Sequence, residues 1–142
     1  MYFRLLSIND FPDYMELINE FRPTKLSRSK FSLLYNEIFS HSEIWVLVDE
    51  ATKRIIGTGT LWIEQKFIHN GGKVAHIEDI IIKQSEKGKG YGKLLIEFLV
   101  EKSREKKCYK VILDCSQELT KFYEKCGFSL KNFQMEIRES DS

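Results

Sequence analysis

Proline is scarce in this chain: there are two, Pro12 and Pro23, both near the N-terminus. No proline-rich linker interrupts the rest, and no internal repeat or low-complexity stretch marks a boundary. Cysteine is scarce too. Cys108, Cys115 and Cys126 make an odd three with no C-x-x-C pair, which argues against a disulfide framework and fits a reducing compartment. Net charge is nearly absent, with 22 Lys and Arg against 21 Asp and Glu. That balance removes any global reason to expect nucleic acid or an anionic membrane as partner. Nothing approaches the roughly 20 consecutive apolar residues of a membrane span. Charges and a proline break up the N-terminal stretch where a signal peptide would lie. The expectation is one cytoplasmic domain over residues 1–142, large enough to bury its own core.

Metal ligands and nucleophiles are missing as well. His41, His69 and His76 show no metal-ligand spacing with one another or with the cysteines, so no metal site is expected. No Ser-His-Asp arrangement or activated cysteine is visible, and small buried thiols are the ordinary reading of the three cysteines.

What is present reads as an α/β domain. Tyr2 to Leu6 suits a first strand, and Asn9 or Asp10 suits the cap of a helix carrying Phe11, Tyr14, Leu17, Ile18 and Phe21. Pro12 fits the first turn, where an N–H would lack a partner anyway. Ser27 is placed to cap a second helix with Phe31, Leu34, Tyr35 and Ile38 on one face. Ile44–Val48 and Ile55–Ile63 flank the polar turn Asp49–Arg54, and Asn70-Gly71-Gly72 leads into a strand Lys73–Ile82. A long helix Gly92–Lys106, a short buried strand Lys110–Asp114 and a helix Glu118–Lys125 stopped by Gly127 follow. The basic residues of the long helix are interleaved with Glu97, Glu101 and Glu105, which suits a solvated face. Phe128–Leu130 and Phe133–Ile137 complete an expected mixed, mostly antiparallel sheet of about seven strands with about four helices.

Gly88, Gly90 and Gly92 stand between the apolar run Ile80–Ile82 and the long helix. A glycine-rich turn from strand to helix aims backbone N–H groups at one point, where an anionic phosphate can sit. The turn is no P-loop, because Leu94 rather than a hydroxyl residue follows Lys93; the dinucleotide spacing fails at its third glycine. Glycines that simply make a tight turn are the plain alternative, and Lys87, Lys89 and Lys93 weigh toward an anion.

Glu78 and Asp79 lie midway along the strand that feeds this turn. Two adjacent carboxylates are costly to bury unpaired, so either the sheet face meets water or the pair serves a site. Strand alternation puts Glu78 and His76 on one side and Asp79 on the other. A β-bulge near Asp79 would bring both carboxylates to one cavity. Tyr123 reads as a core residue by periodicity, ahead of its alternative as a neutral phenol able to protonate a departing thiolate. Asp114 ends a strand where open sheets expose their crevices, and Arg138 follows the last expected strand, solvated or binding.

Four blocks together resemble the GNAT superfamily of acetyl-coenzyme A-dependent N-acetyltransferases, and within it the glucosamine-phosphate branch. They are Gly57–His69, His76–Ile80, Gly88–Leu95, and Cys108–Lys110 through Asp114-Cys115 to Phe122–Phe128. The resemblance covers about residues 55 to 138. It implies a fold whose central strands splay apart to admit the pantetheine arm of acetyl-CoA. The backbone of Ile80, Ile81 and Ile82 would bond that arm. Lys87, Gly88, Lys89, Gly90, Tyr91, Gly92 and Lys93 would hold the pyrophosphate. The same resemblance implies direct attack by the 2-amine of D-glucosamine 6-phosphate, with no acyl-enzyme. Glu78 and Asp79 would orient and deprotonate the amine, and Tyr123 would serve the leaving thiolate. It implies a homodimer with a shared site, in which Asp114 reaches sugar hydroxyls and Arg138 the phosphate of the neighbouring subunit's substrate. The chain departs from the family pattern at Lys87, where Arg or Gln is usual, at Leu119, where Asn is common, and around Phe21-Arg22-Pro23-Thr24, the family's N-terminal substrate loop. An acetyltransferase for another amine, or a GNAT-like domain that binds coenzyme A without turnover, are the alternatives.

Overall fold

A computed structural model describes residues 1–140. It contains one five-stranded sheet in the order β1 (Tyr2–Leu5), β2 (Ser42–Val48), β3 (Ile55–Gln65), β4 (Lys73–Ile82) and β5 (Lys110–Ile112). The first four strands are antiparallel neighbours, and β5 runs parallel to β4. The helices are α1 (Phe11–Phe21), α2 (Arg28–Phe39), α3 (Ile68–Gly71), α4 (Tyr91–Glu105) and α5 (Thr120–Lys125).

Strand alternation sends β2 to both faces of the sheet. Ile44, Val46 and Val48 are buried under α1 and α2 with Leu17 and Phe31, while Trp45 turns to the opposite face. There α4 buries Leu95, Ile96 and Leu99 against Leu61, Ala75 and Ile77, and keeps its charges in water. Arg104–Glu101 and Lys102–Glu105 ion pairs line that outer surface, as the interleaved charges led us to expect. Gly59 lets α4 come close: a Cβ there would lie 2.8 Å from Leu99 Cδ1 and 2.6 Å from Ile80 Cδ1.

The helix starts are set locally. Ser27 accepts from Lys30 N at 3.1 Å and caps α2. Asp10 stands at the N-cap of α1, as expected, but its side chain makes no cap bond to that helix: it forms a reciprocal capping box with Ser7 around the single 3₁₀ turn that leads into α1. Asp10 is then spoken for twice, because Arg4 grips its carboxylate with two bonds of 2.7 and 3.0 Å. Gly127 closes α5 with φ 98°, and Phe128 N donates to Tyr123 O at 3.0 Å.

The expected seven strands and four helices become five and five. The extra helix is α3, a single turn in the β3–β4 connection, with His69 and Asn70 in left-handed conformations. The two C-terminal strands are absent from the sheet. After Gly127 the described chain forms neither helix nor strand. Phe133, Met135 and Ile137 are 90%, 93% and 92% exposed. Their period-2 pattern pairs with no strand among the described residues. For the same reason β5 is an edge strand with Ile112 exposed, shorter than the expected Lys110–Asp114 and not buried.

Candidate active site

The site is built where β4 changes partners. Its pairing with β5 covers only Val74↔Lys110, Ala75↔Val111 and His76↔Ile112, whereas β4 itself continues to Ile82. From Ile77 onward that edge of β4 has no strand neighbour among the described residues, which is the opening of the central strands expected above. On its other edge β4 stays paired with β3, but the register slips: Thr60 faces Glu78 while Thr58 faces Ile81. Gly59 therefore opposes two residues, Asp79 and Ile80, which defines a β-bulge. Asp79 sits at φ 51°, a left-handed conformation that aspartate tolerates better than most side chains.

The bulge cancels strand alternation at one point. Glu78 and Asp79 both line a cavity of about 820 Å³ between α1, α2 and the sheet. Its walls are mostly apolar, from Ile18, Phe31, Tyr35 and Ile44, while both carboxylates are exposed within it. Burial raises the proton affinity of Glu78 above the ordinary carboxylate value, and the nearby negative charges of Asp79 and Asp114 add to it; His76 opposes. Tyr14, almost fully buried in the same wall, is pushed up by desolvation, with a bond to Thr58 opposing and Asp79 adding. Thr58 in turn donates to Trp45 O at 2.9 Å. Beside them His76 Nε2 lies 2.9 Å from Glu64 Oε1, and its ring packs 4.2 Å from that of Trp62. The hydrogen bond to His76, then that to Lys66, holds Glu64 below the ordinary range.

The glycine turn has the shape its sequence predicts. Gly88 and Gly90 have φ 83° and 85°, which other residues reach only with strain. A Cβ on either would meet nothing within 4 Å, so the requirement for glycine comes from the backbone and not from crowding. Gly90 is the N-cap of α4 and offers no side chain, which leaves the first-turn N–H groups of a 15-residue helix without a side-chain cap. Such a terminus attracts an anion. Lys89 is turned aside onto Glu86 at 2.6 Å, and Lys87 and Lys93 are exposed.

Tyr123 reconciles its two sequence readings. It is half-buried on α5, in edge-to-face contact with Phe122 at 5.0 Å and Phe128 at 6.0 Å. A Cβ on Gly92 would stand 3.3 Å from Phe122 Cζ, so α5 is packed against the first turn of α4. Burial pushes the Tyr123 phenol up, and Cys115 and Cys126 add to the shift, so it stays protonated at neutral pH. It does not line the carboxylate cavity.

Asp114 and Arg138 are not brought into that cavity either. Asp114 is exposed just beyond β5, within electrostatic reach of Glu78. Arg138 lies in the exposed tail, 3.4 Å from Glu136 Oε1. The cavity also takes in Tyr14, Thr60 and Trp62, which periodicity alone assigns to a helix face and a strand, and Arg22 from the Phe21–Thr24 segment. Among the described residues no three His, Cys, Asp or Glu side chains gather as a metal centre needs, and no helix is long and apolar enough to cross a membrane.

Residues 11–128 match the pattern of the Acetyltransferase (GNAT) family. The chain is similar to glucosamine 6-phosphate N-acetyltransferase 1 of Dictyostelium discoideum, 41% identical over 139 residues, which covers 95% of this chain and 88% of that protein. It is 39% identical to glucosamine 6-phosphate N-acetyltransferase of Candida albicans, over 96% of this chain and 94% of that one. The fold matches a crystal structure of glucosamine-6-phosphate N-acetyltransferase from Arabidopsis thaliana with a TM-score of 0.92 and 38% identity, covering 98% of each chain. The family pattern, these relatives, the opened β4 edge and the glycine-capped α4 agree: this chain belongs to the GNAT family of acetyltransferases.

Proposed function

We propose that the protein transfers the acetyl group of acetyl-CoA to the 2-amine of D-glucosamine 6-phosphate, giving N-acetyl-D-glucosamine 6-phosphate and coenzyme A. One observation carries the reading: a chain about 40% identical over most of its length to glucosamine 6-phosphate N-acetyltransferases keeps a carboxylate pair in a cavity beside an open strand edge.

Acetyl-CoA supplies an activated thioester, and the chain's task is to hold it and manage two protons. The backbone groups that the Ile80–Ile82 stretch turns to the open edge of β4 suit an extended amide arm, in the manner of an added strand. The residues Lys87 to Lys93 and the start of α4 suit a pyrophosphate. Glu78 and Asp79 draw in the sugar ammonium, and Glu78, its proton affinity raised by burial, takes a proton from it, directly or through one water. The freed amine attacks the thioester carbon. As the C–N bond forms and the C–S bond breaks, the electron pair leaves with sulfur. Tyr123, protonated at neutral pH, gives its proton to the thiolate and regains one from solvent.

The site is completed by a second copy of the chain in a homodimer, with Asp114 meeting sugar hydroxyls and Arg138 the phosphate of the neighbour's substrate. The exposed, alternating Phe133, Met135 and Ile137 support this, being an unpaired strand pattern in a chain whose β5 edge is also unpaired. A cytoplasmic setting suits three unpaired thiols.

Free thiol release from acetyl-CoA tests the activity. Rapid release with glucosamine 6-phosphate and little with glucosamine or spermidine is expected; release with spermidine alone would overturn the substrate. Tyr123→Phe should lower kcat about a hundredfold with the KM for acetyl-CoA little changed, and wild-type turnover would remove Tyr123 from the mechanism. Glu78 gives a stability test with a defined sign. Its folded-state pKa is raised, so its contribution is present in full below about pH 4 and is lost as pH rises through the folded value. Glu78→Gln should therefore melt above wild type at neutral pH and level with it in acid; parallel curves would refute the shift. Sedimentation at micromolar concentration should find dimers, and Phe133→Asp with Ile137→Asp should shift them toward monomer. A monomeric wild type would end the shared-site proposal.

A further inference from the structure

We propose that Arg22 is a second reader of the substrate's anionic group, supplied by the same subunit whose Glu78 and Asp79 receive the amine. This inference rests on the amino sugar phosphate reading above and adds a specificity-determining residue to it.

The cavity has charges of both signs. Glu78 and Asp79 are its carboxylates, and Arg22 is the one Lys or Arg among its lining residues. An amino sugar phosphate carries opposite charges at its two ends, so a cavity with the same division matches it end for end. A cavity meant only for a polycationic amine would gain nothing from a guanidinium in its wall. Between the charges part of the wall is apolar, from Ile18, Leu26 and Tyr35, while Arg22 and both carboxylates stay open to water.

The backbone around Arg22 is set in advance. Its N–H closes α1 by donating to Ile18 O at 2.9 Å. Pro23 follows it, and a residue before proline is pushed to extended geometry, as the φ of −154° and ψ of 130° at Arg22 show. Asn19 then clasps the loop. Its Nδ2 donates to Met15 O at 2.7 Å, and its Oδ1 accepts from Thr24 N at 2.9 Å. Thr24 Oγ1 donates to Arg22 O at 2.9 Å. While the backbone is tied down, the guanidinium has no ion pair among the described residues. The neighbouring Glu20 is occupied elsewhere, accepting from Gln84 N at 2.7 Å, and Arg54 takes both Asp13 and Glu16. A fixed backbone with an unengaged fork is the arrangement that binds a phosphate or sulfate group with little ordering cost.

The experiment compares Arg22→Met, Arg22→Lys and Arg138→Ala with wild type on glucosamine 6-phosphate and on glucosamine, by thiol release. For Arg22→Met the ratio of kcat/KM between phosphosugar and sugar should fall about tenfold, with the loss carried by KM. Arg22→Lys should recover part of it, because a cation remains without the fork. An unchanged ratio in Arg22→Met, with a collapsed ratio in Arg138→Ala, would overturn the proposal and leave the phosphate to Arg138. Equal losses on both sugars would also overturn it, since they would mark Arg22 as a loop-shaping residue. Wild type inert toward the phosphosugar would instead bring down the underlying substrate reading, before any Arg22 variant is compared.

Discussion

Strand β4 is held on one edge and released on the other, and the site depends on that asymmetry. Along β3 it is paired nearly from end to end, while its parallel contact with β5 stops after His76. A fully zipped β5 would satisfy the backbone of Ile80 to Ile82 and leave nothing for an extended ligand to bond. A released β3 would let the register slide, and a slip of one residue exchanges the two faces of a strand. Holding one side lets the other stay open without loss of register.

The bulge opposite Gly59 is the second consequence of that pairing. Regular alternation would send Asp79 toward α4, into the cluster of Leu95, Ile96 and Leu99, where an unpaired carboxylate is costly. One extra residue turns it back beside Glu78, at a conformational cost of about 1–2 kcal/mol for a left-handed residue. Gly59 suits both sides of this arrangement, since it faces the bulge and leaves room for Leu99. Burial, and after it the like charge of Asp79 brought alongside, then raises the proton affinity of Glu78, which suits the base role proposed for it.

Much of this was legible in the sequence because it is local. The cap at Ser27, the hairpin Asp49–Arg54, the amphipathic face of α4 and the stop at Gly127 each follow from a few adjacent residues. The glycine turn was legible for the same reason. Two failures share one cause. Phe133, Met135 and Ile137 alternate as a strand does, and Lys110–Asp114 reads as buried, but periodicity records only that a face wants covering, not which chain covers it. Arg22, Thr60 and Trp62 are legible only within longer segments, the Phe21–Thr24 loop and the Gly57–His69 block, and not as site residues. Their own periodicity marks no cavity, which forms only when α1, α2 and β3 meet. Asp10 keeps the N-cap position of α1, but its carboxylate is taken by Ser7 N and Arg4, a pairing no local pattern announces.

The absence of an activated nucleophile is consistent with this geometry. An acyl-enzyme route needs a side chain that attacks the thioester and a base bonded to it. The groups proposed to move protons stand apart: Glu78 and Asp79 in the cavity between α1, α2 and the sheet, Tyr123 on α5 against the start of α4. Burial raises both Glu78 and Tyr123, yet to opposite ends, since a carboxyl raised from low pKa becomes a better base while a phenol raised from high pKa simply stays protonated. One group is thereby ready to receive a proton and the other to give one. In the proposed direct transfer the amine, the acetyl carbon and the sulfur must meet at one point, and the opening that the short β4–β5 pairing leaves is where the chain has room for them.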